Sequence, residues 1–168
     1  EQGAQMLHIV DLDGSKEGNL ANLEVITRLV QEIKIPIQVG GGIRNKEAVK
    51  ALLSSGVSRV ILGTVALEND EELENILGDF ASKVAVALDT KNGKLMKKGW
   101  FENSDKGSIA TALKLEDLGV KRFIYTDVVA DGTLTKPNYK QTKKLLTSLT
   151  VPIIVSGGIS TLSDIKKL

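Results

Sequence analysis

IPIQVGGGI (residues 35–43) and VPIIVSGGI (residues 151–159) agree at six of nine positions across an offset of 116 residues. Each is an apolar run ending in glycine and leading toward a helical pattern, which reads as a buried strand that turns into a helix. The same offset places Gly3 on Gly119, Asp11 on Asp127, Gly14 near Gly132, and Val49, Lys50 and Leu52 on Ile165, Lys166 and Leu168. The repeat therefore spans whole strand-and-helix units.

Outward from these two strands, MLHIV (6–10), RVILG (59–63), VAVAL (84–88) and RFIYT (122–126) are apolar nearly throughout, as parallel strands buried on both faces are. Helical patterns lie between them. Leu20, Leu23, Ile26, Val30 and Ile33 form one stripe that predicts a helix from about Asn19 to Ile33. Asn69 followed by Glu72 has the form of a capping box before Leu73, Ile76, Leu77 and Phe80. Weaker helical patterns occupy 45–55, 107–118, 138–148 and 160 onward, and 91–107 (KNGKLMKKGWFENSDKG) reads as a long loop. This βα alternation predicts an α/β fold with a parallel sheet. MLHIVDLDGS lacks the GxGxxG turn of a dinucleotide-binding sheet, which favours a (β/α)8 TIM barrel. A closed barrel takes about 250 residues, so residues 1–168 are expected to be a single partial barrel domain of about six βα units. Glu1 stands almost directly before a strand and Leu168 falls in the first turns of an amphipathic segment, so truncation at both ends is expected.

Twenty-two basic and 21 acidic side chains nearly cancel, which argues against nucleic acid or an anionic membrane as partner. Cys is absent and His occurs once, so neither a disulfide nor a metal centre is expected. Apolar runs such as VAVAL fall far short of the roughly 20 residues that span a bilayer, and a cytoplasmic protein is expected.

A glycine run between strand and helix can aim backbone N–H groups at a phosphate. Gly41 and Gly42 in the GGG turn, and Ser156, Gly157 and Gly158 in the SGG turn, have this placement, as do Gly63 and Thr64. Glycine could instead serve only the tightness of the turn. Two such turns set by one repeat favour phosphate, and hence a small-molecule ligand phosphorylated at both ends. Arg44, directly after GGG, could pair with that charge. Asp11, Asp13, Asp89, Asp127 and Asp131 follow strands, where a (β/α)8 barrel gathers its catalytic groups on one rim. A lone Asp there is commonly a turn or cap residue, but several suit general acid/base chemistry. Trp100 could form a lid or a stacking face, His8 reads as a packing residue, and KLMKK (94–98) as solvated loop.

LHIVDLDGS (7–15), QVGGGIR (38–44), VILGT (60–64), ALDT (87–90), GWFENS (99–104), YTDVVADGT (125–133) and VSGGIS (155–160) together resemble the phosphoribosylformimino-aminoimidazole carboxamide ribotide isomerases of histidine biosynthesis. The resemblance implies a (β/α)8 barrel of two similar halves, with the first and eighth units missing here. It implies an Amadori rearrangement of a bis-phosphorylated substrate, without cofactor. Asp89 matches the family's catalytic carboxylate, Thr126 its catalytic threonine and Asp131 a further acid. Which of Asp89 and Asp131 protonates the ring oxygen stays open. The family's general base lies on the first strand and has no counterpart, so an inactive fragment is expected. The related cyclase subunit of imidazole glycerol phosphate synthase and a non-catalytic phosphate-binding barrel are the alternatives. With flanking units gone, MLHIV and PIIV become edge strands, from which self-association is expected.

Overall fold

In the computed structural model the described residues are 3–97 and 102–168, with side chains described outside 97 and 102–106. The chain forms two compact units, Glu1–Ala85 and Val86–Leu168. The first runs β1 (Leu7–Val10), α1 (Leu12–Glu17), α2 (Leu23–Glu32), β2 (Ile37–Gly40), α3 (Lys46–Ser54), β3 (Arg59–Leu62), α4 (Thr64–Glu68) and α5 (Asp70–Phe80), then a 3₁₀ turn at Ala81–Lys83. β1 and β2 are parallel, with Leu7 opposite Ile37 and Val10 opposite Gly40, and β3 joins β2 in the same direction. Every residue of β2 is buried, the polar Gln38 included, as in a parallel strand covered on both faces. Val39, Val60 and Leu62 form the sheet side of the core, and Ile26, Val49, Leu52, Leu73 and Ile76 supply the helix side.

The second unit takes up β4 (Val84–Lys91) and continues through β5 (Lys94–Lys97), β6 (Glu102–Gly107), α6 (Ser108–Asp117), β7 (Phe123–Asp127), α7 (Tyr139–Ser148), β8 (Ile153–Ser156) and α8 (Leu162–Lys167). β4, β7 and β8 are parallel neighbours in that order. Val86, Leu88, Phe123 and Tyr125 of the strands are buried, as are Ala112, Leu115 and Leu145 of the helices. Six βα units in succession make the fold an incomplete (β/α)8 barrel.

Three expectations are corrected. Residues 91–107 are not simply a loop: β4 runs on to Lys91, turns, and returns as antiparallel β5, which pairs in turn with β6. The turn is Asn92-Gly93, both at positive φ (53° and 79°), the dipeptide that closes two-residue hairpins. KLMKK is therefore not wholly solvated, since the consecutive Leu95 and Met96, on opposite faces of β5, are both buried. Trp100 lies outside the described residues. The helix expected over 19–33 begins later, at Leu23, and a separate helix α1 precedes it. Gly18, at φ 79°, ends α1 in the left-handed conformation that glycine adopts without penalty.

The helix starts follow their capping residues. Asn45, Asn69, Asn138 and Thr161 each accept from the backbone N–H at the third helical position, and Thr161 with Asp164 completes a capping box. Two of these caps, Asn45 and Thr161, are 116 residues apart.

Candidate functional site

The register of β4 and β7 sets Asp89 directly opposite Thr126. Opposed residues of parallel strands project from the same face, so the two side chains share one face and alternate with Leu88–Tyr125 and Thr90–Asp127 on the other. Thr126 is buried and Asp89 half-buried. Asp131 stands exposed in the loop after β7, its N–H donating to the Asp127 carbonyl at 2.9 Å. The structure thus brings Asp89 and Thr126 together at neighbouring strand ends, with Asp131 on the loop that leaves them. On the opposite face, the Thr90 hydroxyl donates to the Tyr125 hydroxyl at 3.2 Å. Burial raises the Tyr125 pKa and the Asp127 charge adds to the rise, against the lowering effect of the Thr90 bond.

The glycine turns have a packing reason of their own. Gly157 and Gly158 are buried at φ 93° and 76°, and a Cβ on them would collide with the Asp127 and Lys136 carbonyls. Gly41 and Gly42, at φ 103° and 71°, stand in the same relation to the Asp11 and Asn19 carbonyls. In both units, then, the loop after one strand presses on the glycine turn after the next, and only glycine fits. The same turns leave donors over. Among the described residues, the N–H groups of Gly42, Ile43, Gly158 and Ile159 make no hydrogen bond, as an anion cradle requires. Ser156 ends β8 immediately before its turn, and half-buried Arg44 follows the other. Gly63 links β3 to α4, whose first residue is Thr64.

Asp11 has its partners within its own loop. Its buried carboxylate accepts from the Gly14 N–H (2.8 Å), the Asn22 N–H (2.9 Å) and the Asn22 side-chain amide (2.8 Å). Burial works against its ionisation, but these donors outweigh it and hold its pKa below the ordinary carboxylate value. Asp127 repeats the arrangement, accepting from Val129 and Ala130 N–H (3.0 and 3.4 Å) and from the Asn138 amide (2.8 Å). Sequence reading missed Asn22 and Asn138. Their signal is an Asp and an Asn at the same spacing in both copies of the repeat. His8 shares a hydrogen bond with Gln38 at 2.9 Å, and Arg59 donates to Gln38 at 2.9 Å, a polar row across β1, β2 and β3. Among the described residues no three His, Asp or Glu side chains gather as metal ligands, and no helix is long and apolar enough to cross a membrane.

The family model described as histidine biosynthesis protein matches residues 1–168. A protein of Dehalococcoides mccartyi (strain ATCC BAA-2266 / KCTC 15142 / 195) is 46% identical over 166 residues, covering 99% of this chain and 70% of that protein. One of Clostridium beijerinckii is 45% identical over 168 residues, covering 100% of this chain and 70% of its own. One of Synechococcus elongatus is 44% identical over 168 residues, covering 100% and 66%. All three are named as 1-(5-phosphoribosyl)-5-(5-phosphoribosylamino)methylideneamino imidazole-4-carboxamide isomerase. With the match running the whole length of the sequence and the barrel units in order beneath it, the chain belongs to the histidine biosynthesis protein family.

Proposed function

We propose that this chain carries part of the catalytic and phosphate-binding machinery of an aldose–ketose isomerase, which carries out an Amadori rearrangement on an imidazole carboxamide bearing two phosphoribosyl groups. The observation that carries this reading is Asp89 in register with Thr126 at the ends of β4 and β7. In the reaction an acid protonates the ring oxygen of the aminoaldose as the ring opens, a base removes the proton from C2, and tautomerisation gives the aminoketose. Nothing is gained or lost but protons that are returned, so side chains suffice and no cofactor is needed. Asp89 and Asp131 are the candidates for proton transfer, and Thr126 holds the reacting sugar by its hydroxyl. In the repeat, Val10 stands where Thr126 stands, so the first unit holds no counterpart of that hydroxyl.

Gly41–Gly42 with Arg44, and Ser156–Gly158, are the candidate phosphate contacts. Gly63 and Thr64 are a further phosphate contact, and Trp100 a cover over the substrate. The isomerase names of the relatives favour this reading over the cyclase. A cytoplasmic location suits a substrate whose phosphates keep it from crossing membranes. β1 is outermost in the order β1–β2–β3 and β8 in the order β4–β7–β8, and their outer edges are inferred to pair with a second copy. Conversion of the bisphosphate substrate, followed by absorbance, tests the activity. Turnover that survives Asp89→Asn undiminished would overturn the assignment of that residue.

A further inference from the structure

The geometry points to Asp127 and Asn138, and their counterparts Asp11 and Asn22, as positioning residues that shape the anion-binding turn of the next strand. In both units a strand-end Asp accepts the side-chain amide of an Asn at the far end of the following loop, at 2.8 Å each time. The two pairs are 116 residues apart, and in the first unit the Asn22 amide also reaches the Asp13 carboxylate at 3.0 Å. The same carboxylates hold the near end of the loop through Gly14 N–H in one unit and Ala130 N–H in the other, which are again equivalent positions. So clamped, the loop sets its carbonyls against the next turn: Asp11 and Asn19 against Gly41 and Gly42, Asp127 and Lys136 against Gly157 and Gly158. The direction of the N–H groups at 42–43 and 158–159 is thereby fixed by a loop that need not touch the ligand. A carboxylate repels phosphate, so these side chains serve the loop's own donors and not the ligand.

The inference rests on the reading that these turns bind phosphate, and the test separates the two. Inorganic phosphate is titrated into ¹⁵N-labelled protein, with the amide shifts of 42–44 and 157–159 followed separately and hydrogen exchange measured at the same residues. Asn138→Ala is expected to weaken phosphate binding at 157–159 about tenfold, as loss of one charge-assisted hydrogen bond does. It should speed exchange there and leave 42–44 unchanged; Asn22→Ala should do the converse. Exchanging the pair, Asp127→Asn with Asn138→Asp, keeps one donor facing one acceptor and the net charge, and is expected to restore both readouts. A residue needed only for stability would lower the melting temperature without this site-by-site loss and rescue. Unaltered affinity and exchange in a folded Asn138→Ala overturn the inference, as does an exchanged pair that folds yet restores neither. Should Asn138→Ala not fold, the exchanged pair decides alone. If the native protein binds no phosphate at either turn, the phosphate reading falls, and exchange at 157–159 still decides whether the clamp sets the turn.

Discussion

At the scale of single residues, the contrast between Asp89 and Asp11 shows what a strand-end aspartate can become. Asp89 lies half-buried beside a threonine on the next strand, whereas Asp11 is buried with three donors on its carboxylate. In the intact isomerase that contains this chain, Asp89→Asn keeps the size and removes the capacity for proton transfer, so kcat is expected to fall about a hundredfold or more, in line with general acid/base contributions, with substrate still bound. Steady-state kinetics on the bisphosphate substrate check this, with Thr126→Val expected to act in the same direction. Asp164 makes a different prediction. It accepts from the Tyr139 hydroxyl, from the Ser160 and Thr161 hydroxyls and from the N–H of both residues. The Tyr139 bond first, then Thr161, hold its pKa well below the ordinary 3.8, with burial opposing. A depressed folded-state pKa contributes stability that is present above about pH 4 and lost as pH falls toward the folded value. Melting temperatures measured from pH 6 to pH 2 should therefore decline on the acid side, and Asp164→Asn should flatten that decline while lowering stability at pH 6.

At the scale of elements, short-range signals located most of the structure. The strands β1 to β4, β7 and β8 sit where the apolar runs are, and α5 opens at Asn69, whose side chain accepts the Glu72 N–H at 3.1 Å. Asn69→Ala is expected to cost about 1 kcal/mol in denaturant unfolding, the ordinary value of such a cap. What was not legible is instructive. The 91–107 segment has no alternating pattern strong enough to announce a strand, and only pairing with β4 makes β5 one. Residues 12–17 look like turn because Asp, Gly and Ser dominate them, yet Asp11 caps a helical turn there with its own carboxylate. Glycine turns were legible as turns, but not the reason for both glycines in each. Gly157→Ala brings a Cβ onto the Asp127 carbonyl at a φ that alanine avoids, so it is expected to destabilise by about 1–3 kcal/mol or more, whether or not phosphate is present.

At the scale of the whole molecule, the repeat and the sheet edges are the two features that matter. Val10 on β1 is 49% exposed and Ile154 on β8 is 37% exposed, apolar groups beside outward N–H and C=O rows. Light scattering across a concentration series is expected to show a mass above that of one chain, and a lysine at Val10 or Ile154 should lower it. The 116-residue repeat was visible in the sequence because identical turn geometry demands identical residue types: glycine at positive φ and asparagine or threonine at helix starts leave a local mark. The order of strands and helices, the fold class and the glycine turns were determined at that level, by periodicity and by backbone sterics acting within a few residues. The partnerships were not. That Asp89 faces Thr126, that Asp11 and Asp127 spend their charge on an asparagine eleven positions on, and that a carbonyl from one loop excludes a Cβ from the next turn all depend on register and loop closure. Those are settled only when parallel strands distant in sequence align, because a carboxylate's role is decided by the donors that reach it and not by the residues beside it in the chain.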